Sequence, residues 1–336
     1  MKIEVSVVIP THNPRRDYLD HVLEALAAQT LERERWELVV VDNKSEDIGY
    51  RILDIVGGLG VKGLRGEGDV AGNESRVASE TGGRRTEILN AKVVREERLG
   101  LTNARLRGFA ETTGEIIVLV DDDNVLAPNY LEEVVRIGKE HPQLGTWSGA
   151  IELVLEPGSP EPAEKLRHLL CERKVERAVW SNDRSHFAAT PWGAGECIRR
   201  RVAEAYAAKV AREPRRRQLD LQGKDLVYGG DTDIAYTGCE MGYAMGVFPE
   251  LKLKHLTPPG RCTEEYLLKN YEAHAYSEVL HGWIETGKIP PQRTDVRGRL
   301  GVLVRWLLGS SLERRMIQAR ARGLSKGEAF VKKQTN

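Results

Sequence analysis

The chain opens on an apolar, β-branched run, IEVSVVI at residues 3–9, that stops at Pro10-Thr11-His12-Asn13-Pro14. Beyond it Leu19, Val22, Leu23, Leu26 and Ala27 recur at the spacing of one helical face, so strand, loop and amphipathic helix follow in order. A second apolar run, 36–41, ends at Asp42-Asn43-Lys44-Ser45. Strand, helix and strand in this order close by a right-handed crossover into a parallel pair. The same reading predicts strands at 91–95, 115–120 and 145–155 and helices at 101–112 and 128–138. Residues 46–56 have weak helical spacing, and the glycine- and charge-rich stretch 57–83 predicts a flexible surface insertion.

Pro157, Pro160 and Pro162 interrupt the pattern and put a soft boundary near residue 158. After it the spacing predicts helices at 163–177, 200–212, 231–241 and 263–285, an extended segment up to His255, and a basic amphipathic helix at 299–322. The fold class is therefore α/β: a Rossmann-type, mostly parallel sheet flanked by helices, with a helical C-terminal extension. Residues 1–158 and 159–260 read as two halves of one catalytic domain and 261–336 as the extension.

Composition narrows the class. The chain has 336 residues, 40% of them hydrophobic, and 50 basic against 50 acidic residues. A zero net charge gives no global field for nucleic acid, and the basic run 212–217 lacks interleaved stacking aromatics. The apolar runs fall short of the roughly 20 residues a membrane span needs. With no leader pattern at the start, the expectation is a cytoplasmic protein, and Cys171, Cys197, Cys239 and Cys262, having no C-x-x-C spacing, read as reduced thiols. The last helix pairs Leu300, Val304, Trp306, Leu307, Leu308 and Leu312 with arginines. That composition suits either peripheral contact with an anionic membrane at its inner face or docking on the catalytic domain.

The chemistry gathers where strands end. Asp121-Asp122-Asp123 follows an apolar strand, and Asp121 and Asp123 are expected to project the same way from an extended backbone. Two such carboxylates suit Mg²⁺ or Mn²⁺, with substrate phosphates as further ligands; a helix cap or a solvated turn is the plainer reading. Trp192-Gly193-Ala194-Gly195 offers a close-approaching backbone beside an aromatic face suited to a sugar, or else a tight turn around a core tryptophan. Asp231, Thr232 and Asp233 open a helix, where Asp231 or Thr232 could simply cap it, or Asp231 or Asp233 could take a proton from a hydroxyl. His255, at the end of an extended segment, could give a nitrogen to a Mn²⁺-like ion.

Six runs, VSVVIPTHN, ELVVVDNKSED, GLTNARLRGFAETTGEIIVLVDDDN, WGAGECIRR, GGDTDIAYTGCEMGY and LKLKHLTP, together resemble the inverting family 2 glycosyltransferases of GT-A fold over roughly residues 3–256. The resemblance implies transfer of a sugar, of hexosyltransferase type, from a nucleotide diphosphate sugar, UDP being favoured. The acceptor would be a saccharide or lipid-linked hydroxyl, in polysaccharide or cell-envelope glycan synthesis. It implies that Thr11, Asn13 and Asp42 hold the nucleoside, that Arg105 and Asp122 lie along the donor, and that Asp121, Asp123 and His255 bind the metal. Asp231 becomes the base, and Trp192, Gly193 and Asp233 meet the acceptor. Gly230 stands where relatives usually carry Glu, which puts that residue's contribution in question. The rival readings are a non-catalytic nucleotide-sugar or glycan-binding module, a glycoside hydrolase with paired carboxylates, and a nucleotidyltransferase, for which the glycine-rich signature after the first strand is missing.

Overall fold

A computed structural model describes residues 2–46, 90–162, 164–220, 226–291 and 306–335. The insertion expected at 57–83 and nearly all of the weak helix at 46–56 lie outside them. β1 (Val5–Thr11), β2 (Trp36–Asp42), β3 (Ala91–Arg95) and β4 (Ile116–Leu119) run parallel in the order β3-β2-β1-β4. α1 (Arg16–Ala27) connects the first two strands and buries Leu19, Val22, Leu23 and Leu26, the face its spacing predicts. Burying each such side chain stabilises the fold by ~1.5–3 kcal/mol. α2 (Leu101–Glu111) lies against β1 so closely that a Cβ on Gly108 would stand 2.3 Å from a methyl of Val8.

The sheet continues through β8 (Cys197–Arg199), β6 (Leu144–Leu155), β9 (Ala244–Thr257) and β5 (Asn124–Leu126), with β7 (Val179–Ser181) on β9. β8 is antiparallel to β4 and β6, while β9 is parallel to β6 and antiparallel to β5 and β7. Among the described residues six of the nine strands thus point one way, with their carboxyl ends on one edge of the sheet. α3 (Tyr130–Glu140), α4 (Arg200–Arg212) and α5 (Gly230–Glu240) pack on the faces, and α6 (Glu264–Thr286) lies beyond. Strands from before and after the proline-rich region near 158 belong to this one sheet. All four cysteines are free thiols.

Two expected helices come out differently. Instead of a helix over 163–177, a single 3-10 stretch, Glu164–Leu170, buries Leu166, Leu169 and Leu170. Cys171 at φ 61° then turns the chain, and the charged residues after it have no apolar face to bury. Of the predicted helix 299–322 the residues up to 305 lie outside the described set, 306–308 are helical, and the chain breaks at 309–310 before α7, Ser311–Thr335. Its buried face is Ala319, Gly323, Gly327 and Val331, small residues at four-residue spacing that let it press onto α6. A Cβ on Gly323 would meet the Glu272 carbonyl oxygen at 2.1 Å. Arg315, Arg320 and Arg322 pair with Glu264, Glu278 and Glu272 of α6, so the basic side of α7 is docked on the body, while Trp306, Leu307 and Leu308 stay exposed. No helix among the described residues is long and apolar enough to cross a membrane.

Candidate active site

Parallel strands deliver their carboxyl ends, and the polar residues that follow, to one crevice. At the end of β1, Thr11 donates its hydroxyl to Oδ2 of Asp122 and accepts the Asn43 N–H at its carbonyl, 2.8 Å. Asn13 takes a left-handed conformation (φ 52°), and its N–H donates to Ser45 Oγ at 2.9 Å. Asp42 is buried, accepts the Ser45 N–H at 3.0 Å and pairs with Arg95. The Asx-type turn and the candidate nucleoside contact therefore sit on the same carboxylate. Asn43, unassigned in the sequence, fastens three strand ends by accepting the Gly100 N–H at 2.8 Å and donating to the Arg98 carbonyl at 2.8 Å.

Residues 121–124 form a tight turn, with the Asn124 N–H on the Asp121 carbonyl at 3.0 Å, instead of the extended backbone expected there. The turn still brings three carboxyl groups together, because the chain reverses into β5 and pairs Asn124 with His255 in register. His255 donates Nδ1–H to the Leu170 carbonyl at 2.8 Å, which points Nε2 at Oδ2 of Asp123, 3.4 Å away. Arg261, which no local pattern marks, reaches the same oxygen at 3.1 Å. Burial, then repulsion from Asp123, raises Asp121; the same two causes push Asp122 up to about 7. Burial would raise Asp123 too, but the charges of His255 and Arg261 hold it below the usual carboxylate range. Burial would lower His255, and Asp123 outweighs it and raises the imidazole.

Asp123 and His255 could share a divalent cation, although Asp121, Asp123 and His255 do not bring three ligand atoms within 4.8 Å of one another. Among the described residues no hydrogen bond reaches the Asp121 carboxylate, and clustered carboxyl groups that resist ionisation are relieved by a metal. His255 already has the ring orientation of a ligand. Arg261 is the competing cation, and it would share or yield Asp123.

Across the crevice Asp231 begins α5. Its Oδ2 accepts the Gly193 N–H at 2.9 Å and its Oδ1 accepts the Thr232 N–H at 2.7 Å. Trp192 is half-buried against the core, donates its N–H to Ser148 Oγ at 3.2 Å, and has the Arg173 guanidinium 4.7 Å over its ring, so one face is already covered. Arg105 is buried, not a surface arginine of its helix; its Nη1 donates to Oδ2 of Asp220 at 2.9 Å. Burial opposes its charge, but the carboxylates of Asp220, Asp231 and Asp121 keep it firmly protonated. Burial lifts Asp220 to about 6 although Arg105 pulls it down. Glu196 is fully buried with no partner on either carboxylate oxygen among the described residues, and burial, then Asp231, drives its proton affinity well up. Sequence reading missed Asp220 and Glu196, since each gains its surroundings only through tertiary packing.

Asp233 does not join this site. It has no exposed surface through which to meet an acceptor, and Arg216 pairs with its carboxylate. His281 and Glu285 lie close enough to Asp233 to form a three-ligand group, but Arg216 reaches Glu285 at 2.8 Å and Lys209 reaches Asp233 at 3.6 Å, so cations already neutralise it.

Residues 6–68 and 84–178 match glycosyl transferase family 2, and the gap falls within the 57–83 stretch and its edge. Among solved structures, the chain is similar to the crystal structure of S. aureus TarS 1-349 at 14% identity, covering 99% of this chain and 92% of that one with a TM-score of 0.43. The matched residues carry the strands β1 to β6 and the acidic 121–123 turn, and over them the chain is similar to glycosyl transferase family 2.

Proposed function

We propose that the chain is an inverting, metal-dependent glycosyltransferase of hexosyltransferase type, with a UDP-sugar as favoured donor. The acceptor is a saccharide or lipid-linked hydroxyl of polysaccharide or cell-envelope glycan synthesis. The observation that carries the reading is the tie between Asp231 and the strand that leads into the 121–123 turn: its Oδ2 accepts the Gly193 N–H at 2.9 Å, and three residues on the Glu196 carbonyl accepts the Leu119 N–H at 2.8 Å. A base and a set of phosphate-side ligands then face one gap, as a single displacement requires.

In this reading Thr11, Asn13 and Asp42 hold the nucleoside, and Arg105 adds fixed positive charge toward the donor. Asp121, Asp123 and His255 would hold Mn²⁺ or Mg²⁺, which when bound stabilises charge growing on the departing diphosphate. Asp231 takes the acceptor hydroxyl proton as the oxygen attacks the anomeric carbon from the face opposite the diphosphate, so configuration inverts. The Gly193 N–H keeps one carboxylate oxygen oriented while the group works. Residues 1–158 would serve the donor and 159–260 the acceptor. Exposed Trp306, Leu307 and Leu308 support peripheral contact with the cytoplasmic face of a membrane.

The test is UDP release from a panel of UDP-hexoses with Mn²⁺, for wild type and Asp231→Asn. The reading expects release to fall about 10²–10⁴-fold in the variant with Mn²⁺-dependent UDP binding retained. Equal release by both proteins would remove Asp231 as the base, and binding without release by wild type would favour a non-catalytic module.

A further inference from the structure

Gly230 precedes Asp231 at the start of α5 and is buried. A Cβ on Gly230 would stand 2.0 Å from Oδ2, 2.5 Å from Cγ and 2.8 Å from Oδ1 of Asp220. The Asp220 carboxylate, delivered from the 3-10 turn after α4, thus fills the volume where a side chain at 230 would begin. It is anchored by the Thr102 hydroxyl and by Arg105 Nη1, each at 2.9 Å. The other end of the guanidinium faces the catalytic loop: a Cβ on Gly193 would lie 2.9 Å from Arg105 Nη2 and 3.4 Å from Oδ2 of Asp231. Asp220, Arg105 and the Gly193–Asp231 contact therefore form one continuous chain. Arg105 Nε, buried, has no acceptor among the described residues, so Asp220 is the one carboxylate that hydrogen-bonds this guanidinium there.

We infer that Asp220 is a positioning residue for the transfer reaction: it occupies Arg105, so that Asp231 stays free to take the acceptor proton, and it supplies from another segment the carboxylate for which residue 230 has no room. The inference rests on the reading of Asp231 as base. The physical argument is competition. A buried guanidinium left without Asp220 still has Asp231 beside it, since the Cβ position of Gly193 lies 2.9 Å from Nη2 and 3.4 Å from Oδ2 of Asp231, and a close ion pair stabilises the charged carboxylate, weakens it as a base and draws it from the acceptor. A carboxylate on either 220 or 230 prevents this; a neutral group on both does not.

The experiment moves the carboxylate. Full-length wild type and the variants Asp220→Asn, Gly230→Glu, Asp220→Gly/Gly230→Glu and Asp220→Gly/Gly230→Ala are compared by urea midpoint and by UDP release from UDP-hexoses with Mn²⁺. Gly230→Glu alone clashes and loses stability, while both double variants fold with midpoints near each other. Asp220→Asn loses about 30-fold or more in kcat with KM for the donor changed about threefold or less. Asp220→Gly/Gly230→Glu recovers kcat to within about tenfold of wild type, and Asp220→Gly/Gly230→Ala does not. Equal kcat in the two double variants, or wild-type kcat in Asp220→Asn, would overturn the inference while leaving Asp231 as base. No release by wild type would instead overturn the functional reading and the inference with it.

Discussion

The backbone N–H of Gly193 donates to Oδ2 of Asp231 at 2.9 Å, tying the loop that carries Trp192 to the first turn of α5. The contact fixes one carboxylate oxygen by a group that cannot titrate. It also brings loop, helix and Arg105 within reach of one another.

Gly193→Ala is expected to disturb that junction more than the fold. The added methyl would meet Arg105 Nη2 at 2.9 Å and Asp231 Oδ2 at 3.4 Å. The expected effect is a fall of about tenfold in kcat with a stability change of ~1 kcal/mol or less, because the crowded atoms end flexible side chains. Steady-state kinetics beside urea unfolding checks it; the reverse pattern would make Gly193 a packing residue.

Stability should depend on pH in a definite direction. Asp122 and Asp220 have folded-state values of about 7 and about 6, both raised from 3.8. A raised folded value favours the folded state where the group is protonated, so this contribution is complete below 3.8 and is lost as pH rises through 6 to 7. His255, also raised, acts in the same sense. His168, His274 and His281, lowered by burial from 6.5, act in the opposite sense below that value, so thermal unfolding in EDTA should show a midpoint that declines from pH 6.5 to pH 8, and Mn²⁺ should flatten the decline by stabilising the ionised cluster. A midpoint that rises over this window would contradict the assigned environments.

Arg216→Met tests whether the Asp233 group is structural. Asp233 is fully buried and one of its oxygens already lacks a partner, so removing Arg216 leaves it with Lys209 alone, 3.6 Å away, beside Glu285. The expected loss is about 3 kcal/mol, the scale for breaking a buried ion pair. Urea denaturation measures it, and a neutral result would show that the carboxyl is held protonated.

The sequence carried more of the sheet than of the site. Apolar runs of four to seven residues stopping at polar clusters marked β1, β2 and β4 with the crevice at their ends. That signal is local, since a strand buried on both faces must be apolar throughout. The turn at 121–124 was not legible, because three successive aspartates read equally as strand tip or turn until pairing with β9 decides. Asp220, Glu196 and Arg261 gave no signal at all: each is an isolated charged residue made special by neighbours distant in sequence, such as Arg105 for Asp220 (|i−j| 115) and Asp123 for Arg261 (|i−j| 138). The docked face of α7 was missed because it consists of Ala and Gly, which hydrophobic periodicity weights least.

The most direct test of the account is calorimetric titration of UDP into wild type and Asp123→Asn, each with Mn²⁺ and with EDTA. If the 121–123 turn and His255 recruit a cation that holds the diphosphate, wild type binds UDP about tenfold or more tightly with Mn²⁺, a gain of ~1.4 kcal/mol or more, and Asp123→Asn loses that gain. Equal affinity in Mn²⁺ and EDTA, or a gain that survives in Asp123→Asn, would contradict it.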